Sequence, residues 1–151
     1  DMPAIKLVLD VWEGEPQPIT ELIELCELAT AHIAGYSLEG KSRGTEILYQ
    51  QLCELLEKPA QIQLANLLPE APISSLKITT DQLEQAIIKS LTHLVYDIRR
   101  DDALFRTLLK EKGFDWLRKN YPTRREWSSL QVEVEKKSSK SLNLLKLGFA
   151  I

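Results

Sequence analysis

The sequence predicts an α/β chain in which short strands alternate with helices around a small sheet. Three observations predict it. The run Ile5-Lys6-Leu7-Val8-Leu9 is apolar enough for a strand buried on both faces, as parallel sheets require. Within 38–57, Ile47, Leu48, Leu52, Leu55 and Leu56 follow helical spacing. Leu76-Lys77-Ile78-Thr79 and residues 128–134 alternate with period two, and a strong helical stripe lies between them.

The elements follow in order. Residues 5–12 form the first strand, and Pro16 and Pro18 break the chain after it. Thr20 caps a short helix running to Cys26, with Leu22, Ile23 and Leu25 facing in. Residues 28–31 make a short second strand. Gly35 turns the chain, Ser37 is the N-cap of the helix over 38–57, and Pro59 stops that helix. Residues 58–75 read as a linker, with Pro59, Pro69 and Pro72, and Gln61-Ile62-Gln63-Leu64 alternates like an edge strand. Thr80 or Asp81 opens an amphipathic helix whose inward stripe is Leu83, Ile87, Leu91, Leu94, Val95 and Ile98. A second helix covers 102–110, Gly113 ends it, and a third follows over 114–121. Residues 128–134 form a strand. Ser138 or Ser139 caps a last helix with Leu142 and Leu145 inward, and Gly148 leads to a final strand. The expected division is 1–57, a linker at 58–75, and a domain at 76–151.

Composition narrows the class. Hydrophobic residues are 44%, charged residues 27%, and the net charge is -3. There is no apolar run of about 18 residues, the length of a transmembrane helix, and no signal-peptide pattern. The expectation is a soluble cytoplasmic protein with no membrane partner. Cys26 and Cys53 make no disulfide framework. His32 and His93, with no cysteine pair, make no zinc site, so no metal is expected. Arg118-Lys119 and Arg124-Arg125 are a nucleic-acid type of cluster. The acidic balance and the interspersed Asp115 and Glu126 argue instead for no nucleic-acid partner.

The chemistry-bearing residues lie where the first two strands end. Asp10-Val11-Trp12-Glu13-Gly14-Glu15-Pro16 closes the first strand with a burst of acid. Thr30-Ala31-His32-Ile33-Ala34-Gly35-Tyr36 closes the second with one of two histidines. In open α/β sheets, ligands sit outside the carboxyl ends of the strands. A carboxylate beside an imidazole orients a general acid/base. By residue type alone, the alternative is a strand ending in acids and a histidine held in a loop.

These two motifs resemble the signature of the D-isomer-specific 2-hydroxyacid dehydrogenases. The strings His32-Ile33-Ala34-Gly35-Tyr36-Ser37-Leu38-Glu39-Gly40-Lys41, His93-Leu94-Val95-Tyr96-Asp97-Ile98-Arg99-Arg100-Asp101-Asp102 and Arg124-Arg125-Glu126-Trp127-Ser128-Ser129-Leu130 are similar to a branch of that family. That branch acts on a phosphorylated hydroxy acid in vitamin B6 biosynthesis. One departure is Ala31, where the family usually has proline.

The resemblance implies the end of a Rossmann-type cofactor domain followed by a small α+β dimerisation domain. It implies NAD as cofactor, a homodimer, and a small phosphorylated hydroxy acid as substrate. His32 would take the C2 hydroxyl proton. Glu15, rather than the nearby Glu13, would hydrogen-bond His32. Asp10 would meet the nicotinamide carboxamide, Gly35 would let the backbone approach the nicotinamide, and Tyr36 would reach substrate. Helix 38–57 would return to a substrate domain outside this sequence. A phosphate makes Arg124 or Arg125 candidates for a bidentate fork; a solvated basic face or a dimer ion pair is the alternative.

The dimer axis would use Leu130, Val132 and Val134, or the outer face of the 81–98 helix. None of the glycines at 14, 35, 40, 44, 113 and 148 forms G-x-G-x-x-G. The family's carboxylate-binding arginine lies upstream of these motifs. The chain, from Asp1-Met2-Pro3 to Phe149-Ala150-Ile151, is therefore expected to be a piece of a larger enzyme cut at both ends, inactive alone. A noncatalytic dimerisation module is the competing reading.

Overall fold

The computed structural model of the chain describes residues 5–80, 83–134 and 141–151, a mixed α/β structure with small sheets and several helices. In order these are β1 (Val8–Leu9), α1 (Thr20–Leu25), β2 (Leu28–Ala29), α2 (Leu38–Leu55), β3 (Ser75–Ile78), α3 (Gln85–Val95), α4 (Ile98–Lys112), α5 (Phe114–Lys119), β4 (Gln131–Val134) and α6 (Ser141–Leu147). Packing divides them into two units, Asp1–Ala34 with Asp97–Pro122, and Gly35–Tyr96 with Thr123–Ile151. This partition cuts across the contiguous division 1–57, 58–75 and 76–151 expected from the sequence.

In the first unit β1 and β2 pair in parallel, Val8 opposite Leu28 and Leu9 opposite Ala29. Trp12, Ile23, Cys26, Ala29, Phe105, Phe114 and Leu117 are buried. Trp12 lies 5.4 Å from Phe105 between ring centroids, and Phe105 meets Phe114 edge-on at 6.1 Å. The expected strand over 5–12 shrinks to two residues, and it is not buried on both faces. Ile5 and Val8 are 80% and 58% exposed. The reason is the size of the sheet: α4 packs on β2, and among the described residues no further strand covers β1.

Thr20 is the first helical residue of α1 rather than its cap, since Ile19 holds the N-cap position without a side-chain bond. Leu25 turns out to be exposed, and Cys26 takes the inward place. The helix expected to run through Ile98 stops at Val95. Asp97 then caps a new helix, its side chain accepting the Arg99 N–H at 3.1 Å, so α4 starts four residues earlier than expected. Gly113, at φ +82, lets the chain leave α4 and enter α5 in a conformation closed to most residues.

In the second unit Ser37 caps α2, accepting the Gly40 N–H at 3.0 Å. The α2 stripe of Ile47, Leu48, Leu52, Leu55 and Leu56 is exposed. β3 and β4 pair in parallel, Leu76 opposite Val132. Their inner face packs with Leu91, Leu130, Leu144 and Phe149, and Trp127 stacks on Phe149 at 5.8 Å.

Several expectations change in this unit. Gln61–Leu64 is not a strand: the Gln61 and Ile62 N–H groups donate to the Tyr49 hydroxyl, Leu64 N–H donates to Glu46, and a 3-10 turn follows. Leu130 and Val132 are 0% exposed, so they belong to this core and not to a dimer axis. Leu94, Leu142 and Leu145 are exposed, and Leu144 is the buried residue of α6. Ser128 and Ser129 lie in a 3-10 turn before β4. The last strand reduces to one parallel bridge between Gln131 and Ala150. Helix α3 begins at Gln85, after Thr80. The proposed caps Asp81, Ser138 and Ser139 lie outside the described residues.

Candidate active site

Three of the candidate residues come together in the first unit. His32 Nδ1 lies 2.9 Å from Glu15 Oε2. An ionised carboxylate only accepts, so Nδ1 carries the proton and donates it to Glu15. The second carboxylate oxygen, Oε1, accepts the Trp12 backbone N–H at 2.8 Å. Burial pushes the Glu15 carboxyl up. The hydrogen bonds from His32 and Trp12, with the nearby charges of His32 and Arg118, outweigh that and hold it below its ordinary value of 4.5. The His32 side chain is 42% exposed, and Nδ1 is the nitrogen held by Glu15. Glu13, the other glutamate of the motif, is exposed, and the bond to His32 is made by Glu15.

His32 has φ +56, a left-handed conformation costing about 1–2 kcal/mol for a residue with a side chain. Its neighbours over-determine it. Asp10 Oδ1 accepts the Thr30 hydroxyl at 2.6 Å and the Ile33 N–H at 2.8 Å, and Oδ2 accepts the Ala34 N–H at 3.0 Å. The Trp12 indole N–H donates to the Thr30 carbonyl at 2.7 Å. Ala31 and Ile33, on either side of His32, are buried apolar anchors. Asp10 therefore organises the loop that presents His32, a part the sequence motif alone did not assign to it. Strain held this firmly is characteristic of functional loops.

The other candidates lie in the second unit. Gly35 has no left-handed φ, and open space surrounds the position a Cβ would take. The Tyr36 ring lies under Lys41 Nζ, 4.2 Å from the centroid. Arg125 Nε donates to Glu39 Oε1 at 2.6 Å and Nη1 donates to the Pro69 carbonyl at 2.8 Å, with both charged side chains largely buried. Its fork is thus engaged by an ion pair within the chain, which is neither the solvated face nor the dimer ion pair named as alternatives. Arg124 stacks on Tyr96 at 4.6 Å, and its carbonyl accepts the Leu38 N–H.

Sequence reasoning missed two groups. Glu39 is buried and takes both Arg125 and the Glu126 N–H; its position in the first turn of a helix was the available signal. Asp102 and Arg106 form an i,i+4 ion pair that reaches β2, and that spacing alone reads as an ordinary helix surface. Among the described residues no group of three His, Cys, Asp or Glu side chains could hold a metal, and no helix is long and apolar enough to cross a membrane.

Residues 67–148 match the family described as Domain of unknown function (DUF3410). The chain is 55% identical over 130 residues to a protein from Colwellia psychrerythraea named erythronate-4-phosphate dehydrogenase, across 86% of this chain and 33% of that protein. It is 51% identical over 147 residues to the protein of that name from Shewanella baltica, across 97% of this chain and 39% of the relative. The Aeromonas salmonicida protein of the same name is 51% identical over 149 residues, with 97% and 38% covered. The chain thus spans 33% to 39% of the length of these curated relatives.

Proposed function

Because this chain belongs to the DUF3410 family and is similar to erythronate-4-phosphate dehydrogenases, we propose that it is the C-terminal part of such an enzyme. In this reading it carries the acid/base half of the oxidation of 4-phospho-D-erythronate to the 2-oxo acid, in cytoplasmic vitamin B6 biosynthesis. The observation that carries the proposal is the 2.9 Å bond between His32 Nδ1 and Glu15. It fixes the tautomer with Nε2 unprotonated, the form that can accept a proton from the C2 hydroxyl. The Glu15 carboxylate then stabilises the imidazolium. Reversal returns the proton.

Hydride acceptance is chemistry that NAD supplies when bound. The residues fit its reacting end only. Asp10 Oδ2 accepts the Ala34 N–H, and a carboxylate oxygen has a second lone pair with which it could meet the carboxamide. Gly35 leaves open the space a Cβ would fill, which suits close approach of a ring. The phosphate-cradling G-x-G-x-x-G is not among these residues. Tyr36 is assigned to substrate by the same resemblance. The resemblance offers Arg124 or Arg125 for the substrate phosphate, and the Arg125 fork is engaged by Glu39 in this chain. The homodimer belongs to this proposal, with the α3 outer face around Leu94 as its remaining candidate surface.

The test uses the full-length protein containing this chain. His32→Ala should cut kcat by about 10²–10⁴-fold, the usual range for general acid/base catalysis. The substrate KM should change little, because the proton moves in the transition state. Turnover within twofold of the parent would remove His32 from the mechanism.

A further inference from the structure

We propose that Asp102 and Arg106 of α4 are positioning residues for His32, so that the segment matched by the DUF3410 family takes part in the acid/base chemistry. The proposal rests on the reading of His32 as the general acid/base. Asp102 Oδ1 accepts the Ala29 N–H at 2.8 Å. Arg106 Nε donates to that same oxygen at 2.9 Å, Nη1 to the Ile23 carbonyl at 2.9 Å, and Nη2 to the Cys26 carbonyl at 2.8 Å. One guanidinium thus braces the C-terminal end of α1, binding the Ile23 carbonyl, which also accepts the Cys26 N–H at 3.2 Å, and the carbonyl of the C-cap residue Cys26. It also steadies the carboxylate that holds β2. Lysine offers no such fork.

The consequence for His32 follows from how the pair is mounted. Glu15 is tied to the β1 side through the Trp12 N–H. His32 sits three residues beyond Ala29, on the β2 side. Their 2.9 Å contact therefore depends on the relation of β1 to β2, which a two-residue ladder, the Asp10 and Trp12 bonds to the 30–34 loop and the Asp102 bond to Ala29 together maintain. In a parallel ladder alternate N–H groups point away from the partner strand. The Ala29 N–H is such a group. Ala29 is 0% exposed, so without Asp102 this donor would be buried and unmet. Displacement of β2 would carry His32 off Glu15 and out of its left-handed conformation.

The experiment uses the full-length protein containing this chain, with three readouts. In Arg106→Ala, kcat should fall about 10- to 100-fold, as misplacement of a reacting group by about 1 Å does, with substrate KM within about twofold. In ¹⁵N-histidine spectra, the ring signals lost in His32→Ala identify His32. Its Nδ1-protonated tautomer should give way to the Nε2-protonated one in Arg106→Ala. In a His32→Ala background, Arg106→Ala should cost no further activity.

Should Arg106→Ala not fold, Asp102→Asn keeps an acceptor for Ala29 and removes the ion pair, and the same three results are expected at smaller size. A folded variant with unchanged kcat and unchanged tautomer overturns the proposal, as does an equal loss in the His32→Ala background. Turnover persisting in His32→Ala would instead sink the catalytic reading itself. The tautomer shift, read without substrate, separates the two failures.

Discussion

Glu15 holds two hydrogen bonds that are strongest with its carboxylate ionised, one from His32 and one from the Trp12 N–H. A carboxyl whose folded value lies below its ordinary 4.5 stabilises the fold above that ordinary value, and the contribution is lost as pH falls through the folded value. Glu15→Gln should therefore cost about 1 kcal/mol at pH 7, a typical figure for a lost hydrogen bond. The gap should close well below pH 4.5. Urea unfolding at the two pH values checks this, and a gap that stays constant in acid would mean the carboxylate charge is not what matters. That a carboxylate would meet His32 was legible where a burst of acid and a histidine closed two successive strands, and that it is Glu15 rather than Glu13 was implied by the family resemblance. The φ of His32 and the three bonds of Asp10 were not legible. Spacing reports which side chains are near a strand end, and it does not report backbone dihedrals or which carboxylate serves the loop.

At the level of elements, helices were read more closely than strands. The α2 boundaries followed from a serine cap and an apolar stripe, both local signals, and the helix runs Leu38–Leu55 as that pattern suggests. Ser37→Ala removes the acceptor for the Gly40 N–H and a donor to Glu126. It should cost about 1 kcal/mol of stability, the usual loss for an N-cap serine. Chemical unfolding measures it. No change would mean that the Leu38 N–H to Arg124 carbonyl bond and the Glu39–Arg125 pair hold this helix end unaided. The break at Asp97 was hidden because the apolar stripe runs on to Ile98 in phase, and only the cap bond to Arg99 reveals it. β1 was read as longer and more buried than it is, because an apolar run reports what could be covered and not what covers it. The edge strand at 61–64 failed for a different reason. Tyr49 and Glu46, distant in sequence, satisfy the backbone donors that a ladder would have used.

For the whole molecule, the two packing units interleave along the chain, and no composition shift marks their boundaries. Parallel pairing of β3 with β4 joins residues far apart in sequence, which local periodicity does not encode. The acid/base pair and the loop that presents it lie entirely within the first unit. In the proposed reaction the pair would still need a hydride acceptor held against the reacting carbon, and holding it is a matter of position and entropy rather than of the pair itself. The chain spans 33% to 39% of its curated relatives, and its six glycines form no phosphate-cradling turn. The 151-residue chain alone should accordingly fold with the His32–Glu15 bond formed, yet bind no NAD and oxidise no 4-phospho-D-erythronate. Titration calorimetry with NAD, beside ¹⁵N-histidine spectra reporting the His32 tautomer, tests both halves at once. Silent calorimetry with an Nδ1-protonated His32 is the expected pair of results. Micromolar NAD binding would show that these residues hold the cofactor without the G-x-G-x-x-G turn. An Nε2-protonated His32 would show that the acid/base pair needs the rest of the enzyme to form.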